Sequence, residues 1–128
     1  MAIPTEGILV MIGLYSGRPN PEMLLPTEDI SKFASLITEV VGKEALDPAA
    51  PAKLGEFQGF IVLVAKDVAE QERLPKAFSV FRGVLTEEAR QPKRSWRDVS
   101  GVENYLIDLA FKLGHGELLE KFGLMMAS

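Results

Sequence analysis

At roughly 100–200 residues per domain, a chain of 128 residues leaves room for one domain, residues 1–128. Its 47% hydrophobic and 25% charged composition suits a chain that buries a core, which excludes disorder and coiled coil. With 14 Lys+Arg against 18 Asp+Glu the net charge is −4, and cysteine is absent; this argues against nucleic acid as the main partner and removes disulfides, thiolate nucleophiles and Cys-based metal sites.

The first apolar run, residues 8–15, has the length of a signal-peptide core, but no basic residue precedes it and Arg18 is the first cation. It therefore reads as a strand, apolar on both faces and in need of cover on both. No stretch reaches the roughly 20 apolar residues that span a bilayer, so no membrane partner and a cytoplasmic location are expected. The strand is closed by Ser16-Gly17-Arg18-Pro19-Asn20-Pro21, a stiff turn-rich segment. Thr27 then offers an N-cap, Glu28 and Asp29 an acidic first turn, and Ile30, Phe33, Ala34, Ile37, Val40 and Val41 an apolar stripe at helical spacing, stopped by Gly42. This is a helix lying on a sheet.

Residues 43–56 form a connection broken by Pro48 and Pro51, after which residues 60–65 read as a central strand. Residues 66–73 are charged, with room for one helical turn. A third strand is expected over residues 78–85, at the sheet edge because it carries Ser79 and Arg82. After a loop over residues 86–99, Ser100 and Glu103 have the spacing of a capping box. They begin a second helix with Val102, Tyr105, Leu106, Leu109, Ala110 and Leu113 on one face, ended by Gly114, and a short helix over residues 117–122 closes the chain. The expected fold is α+β: a small three-stranded mixed sheet in the order β-α-β-β-α with a short C-terminal helix. The first two strands form a parallel crossover, and the third pairs antiparallel with either of them.

Ile107 and Phe111 add a second apolar stripe to the second helix. Either the final helix and the Leu124-Met125-Met126 tail fold over it, or another protein covers it; the second case predicts a homo-oligomer or heteromer.

No nucleotide-binding, metalloprotease, EF-hand or serine-hydrolase motif occurs, and one histidine without cysteine makes a metal site or cofactor unexpected. Three features remain. Arg18 in its stiff loop offers a planar five-donor fork for a carboxylate or phosphate, with Tyr15 and Asn20 beside it as ligand-binding candidates; the plainer alternative is a turn that Arg18 ties to a carboxylate such as Asp67. His115, between two glycines, is placed by the expected topology near the same sheet edge, which would give His115, Asp67 and Ser16 as a catalytic set; the alternative is a histidine favoured by a helix C-terminus. Arg90, Lys93, Arg94 and Arg97 surround the only tryptophan, Trp96, as a candidate surface for an acidic partner; the alternative is a solvated loop with Trp96 packed on the core.

The leading functional expectation is a small, soluble, non-catalytic interaction or accessory protein, acting as a homo-oligomer or as a small subunit of a larger bacterial-type assembly. The alternative is a small enzyme or binder of an anionic molecule that uses Arg18 and His115.

Overall fold

The computed structural model describes residues 6–14, 20–43, 45–46, 57–88 and 94–124. In chain order the strands are β1 (Ile8–Ile12), β2 (Glu22–Leu24), β3 (Ala45–Leu46), β4 (Phe60–Val64), β5 (Ala77–Phe81), β6 (Val84–Glu87) and β7 (Arg94–Arg97). The helices are α1 (Ile30–Val40), α2 (Lys66–Glu72), α3 (Val102–Ala110) and α4 (Gly116–Glu120). Six strands of three to five residues and the two-residue β3 form one sheet, ordered β2-β1-β4-β5-β6-β7-β3 and antiparallel at every pairing.

The α+β class stands, but the three-stranded mixed sheet and its parallel crossover are overturned. Strands β1 and β4 pair antiparallel, Ile8 opposite Val64 and Ile12 opposite Phe60. A strand that is apolar on both faces reports burial, which parallel and antiparallel neighbours satisfy equally well; strand direction is set by the path of the connection. Here β2 returns along β1, so the connection leaves from the Ile8 end and enters β4 at the Ile12 end, the reverse of the expected crossover. Beyond Ile12 the ladder continues through Gly13, which donates to the Gly59 carbonyl at 2.8 Å and accepts from the Gln58 N–H. A Cβ on Gly59 would lie 2.6 Å from the Val80 carbonyl oxygen, so a side chain there would separate β4 from β5.

The expected third strand is a hairpin instead. β5 and β6 are joined by Arg82 and Gly83 at φ +49° and +76°, the geometry of the tight turn whose twist matches antiparallel strands. Arginine is an unusual first residue for it, since a left-handed non-glycine costs about 1–2 kcal/mol. The carboxylate of Glu103 offsets that cost by accepting the N–H groups of Arg82 and Gly83, each at 3.1 Å. The turn is thereby tied to the first turn of α3. β5 is not an edge strand: it lies between β4 and β6, and Ser79 donates to Glu88 at 2.8 Å. Strand β7 falls where a loop was expected, because four residues with arginine at both ends carry little strand signature.

One side of the sheet presents Ile8, Val10, Ile12, Phe60, Val62, Val64, Phe78, Val80, Leu85 and Trp96 to a single core cluster that includes Phe33, Ala34, Ile37 and Val40 of α1 and Val102, Leu106, Leu109 and Ala110 of α3. The rings of Phe33 and Phe78 stack with centroids 6.3 Å apart across this layer. Both long helices therefore lie on one side. On the reverse side Met11 and Leu63 are nevertheless only 9% and 6% exposed, so their rows are not a bare apolar face. Toward β7 that side turns polar, with the buried hydroxyls of Thr86 and Ser95 bonded at 2.8 Å.

The expected capping box is not formed. Asp98 caps α3, its two oxygens accepting the N–H groups of Val102 and Glu103 at 2.7 and 2.8 Å, while the Ser100 hydroxyl donates to the Leu36 carbonyl at 2.7 Å and fastens α3 to α1. After α3, a wide turn over Phe111–His115 is broken at Gly114 (φ +94°), and the chain reverses into α4.

Candidate interaction groove between α1 and α3

The sequence-selected ligand and catalytic residues do not gather in one place. Tyr15, Ser16 and Arg18 lie outside the described residues. The side-chain oxygen of Asn20 accepts the Leu14 N–H at 3.1 Å. Asp67 follows β4, and because β4 runs antiparallel to β1 it sits beyond Val64, at the Ile8 end of the sheet. Leu14 and Asn20 sit beyond the Ile12 end, about 13 Å further along at the rise of a strand. Asp67 is exposed and accepts the N–H of Val68 at 3.0 Å.

His115 is also carried away from Asn20. Helix α3 starts beside the β5–β6 turn, which adjoins Gly59 and hence Gly13. It runs toward Asp29, with which Lys112 shares a groove, and Asp29 follows β2 at the Ile8 end, where Leu25 donates to the Ile8 carbonyl. The expected approach of His115 to the end of β1 depended on a strand opposite to β1 leading into the second helix; β7, which leads into α3, runs parallel to β1 instead.

Of the basic cluster, Arg90 and Lys93 lie outside the described residues. Arg94, Trp96 and Arg97 belong to β7. Trp96 is 5% exposed and faces the core opposite Leu85, so its ring is not offered to a partner. Alternation along the strand puts the exposed Arg94 on the Trp96 side and the exposed Arg97 on the reverse side. Ile107 is 7% exposed, and Phe111 lies so close over Gly116 that a Cβ there would meet its ring at 2.7 Å. Phe122 and Leu124 line a cleft together with Ile107, and Leu119 is fully buried. The second apolar stripe of α3 is packed by the returning end of the same chain.

The other flank of α3 is open. Tyr105, Asp108, Leu109 and Lys112 recur at helical spacing and face Asp29 and Lys32 of the α1 side across a groove of about 400 Å³. Tyr105 stands at its centre. Its ring packs on Phe33 with centroids 5.6 Å apart, and the Lys32 ammonium lies 5.8 Å from the ring centroid. Its hydroxyl is enclosed and has no hydrogen-bond partner of good geometry. Burial pushes the phenol pKa up to about 12, reinforced by the negative charge of Asp29, whose contact with the hydroxyl is too loose to satisfy it. A neutral phenol lining a groove with two carboxylates and two ammoniums is a proton donor whose nearby carboxylate, Asp29, does not bond it in good geometry.

Sequence reasoning placed Tyr105 among the core positions of the second helix and gave Asp108 and Lys112 no role. The available signal was the recurrence of Tyr105, Asp108, Leu109 and Lys112 along one flank. What was missing was the neighbour, because only the tertiary structure places Asp29 and Lys32 opposite.

Among the described residues no three His, Cys, Asp or Glu side chains gather as metal ligands, and no helix is long and apolar enough to cross a membrane. Compared with known proteins, the chain matches no family model, no curated protein and no solved structure.

Proposed function

We propose that this chain is a non-catalytic interaction or accessory protein that works as a homo-oligomer, pairing with a second copy across the α1–α3 groove. The observation that carries the reading is the enclosed, unpartnered hydroxyl of Tyr105 in an otherwise open groove. A buried donor without an acceptor costs about 1–3 kcal/mol, and an acceptor reached by a shift of the groove side chains on docking would recover that. Tyrosine suits such a role, joining a large rigid apolar ring to a polar tip.

The charges favour a copy of the same chain as the occupant. The rim carries Asp29 and Asp108 together with Lys32 and Lys112, so a twofold axis through the groove can set the carboxylates of each protomer against the ammoniums of the other. A strongly acidic or basic partner would leave half of these charges opposed.

Light scattering over a wide concentration range tests the reading. The expected mass is two chains for the wild type, one chain for Asp108→Lys or Lys112→Asp alone, and two chains again when both reversals are combined. A single-chain mass at every concentration overturns the proposal. So does a two-chain mass indifferent to either reversal, which would place the contact elsewhere.

A further inference from the structure

A second cleft, of about 420 Å³, opens at the Ile8 end of the sheet, between α2 and the turn that leads into α1. It shares no lining residue with the α1–α3 groove. Helical spacing builds two of its sides: Val68, Gln71 and Glu72 recur at i, i+3 and i+4 along α2, and Thr27, Ile30 and Ser31 do the same on entry to α1. Glu6, Gly7, Leu24 and Leu25 complete the lining. The backbone ladder fixes this last group, since the Gly7 carbonyl accepts the Ala65 N–H at 3.0 Å and Leu25 donates to the Ile8 carbonyl at 2.9 Å.

Two properties set the ligand preference. Leu24 is 57% exposed, so apolar surface beside Ile30 and Val68 is left in contact with water. The charge is of one sign: among the described residues the lining carries Glu6 and Glu72 and no cation, and no hydrogen bond or ion pair engages either carboxylate. The α1–α3 groove differs, because Lys32 and Lys112 balance its two carboxylates. Hydroxyls of Thr27 and Ser31 and the Gln71 amide add acceptors for the other hydrogens of an ammonium head. A divalent cation takes about six or more oxygen ligands, and among the described residues no three metal-ligating side chains gather.

We infer that this cleft binds a small primary alkylamine in its ammonium form, the hydrocarbon chain lying against Leu24, Leu25, Ile30 and Val68 and the charged head toward Glu6 and Glu72. The volume falls within the range of roughly 300–1,000 Å³ typical of small-molecule sites. An alkanoate of the same length would face two like charges, and an alkanol would bring no charge to either carboxylate.

Isothermal titration of the full chain with hexylammonium, 1-hexanol, hexanoate and calcium chloride, near neutral pH and at low salt, tests this. Hexylammonium should bind, and hexanol and hexanoate should bind about tenfold more weakly or worse, as expected for loss of a charge-assisted contact. Glu72→Gln keeps the shape of the side chain and should weaken hexylammonium about fivefold, the size of a partly screened charge contact. Leu24→Ser, at an exposed position, should weaken it by a similar factor, and melting curves check that both variants are folded. Neither variant should alter the mass of the assembly, which separates this result from the fate of the α1–α3 reading. Absence of hexylammonium binding at millimolar concentration overturns the inference. So does equal affinity for hexanol or hexanoate, an affinity indifferent to Glu72→Gln, or calcium binding tighter than that of the amine.

Discussion

The two flanks of α3 answer the same burial requirement in different ways. On one, Ile107 meets the returning chain, with Leu119 fully buried and Phe122 and Leu124 alongside. On the other, Tyr105 gives its ring to Phe33 of α1 but leaves its hydroxyl unsatisfied beneath an open groove. An aliphatic stripe asks only for area, and any apolar segment of sufficient length supplies it. A phenol asks in addition for an acceptor in a particular direction, which neither neighbouring helix provides. The first flank is thus packed by its own chain, with a cleft beside Ile107, and the Tyr105 flank is where association is proposed.

Removing the closure should have the largest effect. Leu119→Ala deletes a fully buried side chain from the segment that covers Ile107 and should cost about 2–5 kcal/mol in chemical denaturation. A loss below about 1 kcal/mol would mean that the C-terminal turn is not integral to the core, and the contrast between the flanks would fail.

The next largest effect should come from Glu103→Ala, which takes the acceptor away from both turn N–H groups and leaves Arg82 in its left-handed conformation uncompensated. A loss of about 1–3 kcal/mol is expected, and Arg82→Gly in the same background should recover part of it. If Arg82→Gly brings no recovery, the strain argument for the turn is wrong.

Tyr105→Phe should stabilise the single chain at neutral pH, by about 1 kcal/mol, since the deleted hydroxyl is enclosed and unpartnered. Its signature lies at high pH. An unfolded phenol ionises near 10, whereas Tyr105 in the folded chain ionises at about 12. The folded state holds the proton more tightly, so the phenol's contribution is intact below pH 10 and is lost as the pH rises toward 12. Denaturation midpoints across this window should fall less steeply for the phenylalanine variant; parallel slopes would show that Tyr105 is not held in this environment.

Legibility varied from element to element for identifiable reasons. The strand character of residues 8–12 and 60–64 and the stripe of α1 were readable, because local runs and helical spacing report burial directly. The β5–β6 turn was hidden by Arg82, since arginine does not advertise positive φ and its compensation comes from Glu103, 21 residues away. Strand β7 was hidden by its arginines, which looked like a solvated basic loop until cross-strand pairing put Trp96 opposite Leu85. The true cap of α3 is Asp98, while Ser100, the residue with the better motif, is engaged by α1. Of the candidate sites, the residues around Tyr105 were all visible one by one, but their grouping was not.

By itself, the sequence determined that this chain builds an α+β core from doubly apolar strands and amphipathic helices, because apolar spacing is a local property that water enforces wherever the chain goes. Only the tertiary structure decided the direction of β4 against β1, and with it which residues share an end of the sheet. That is why His115 and Asp67 separate from the end that holds Asn20 while Tyr105 comes to face Asp29. Direction and proximity depend on hydrogen-bond registers between segments far apart in the chain, which no local pattern encodes.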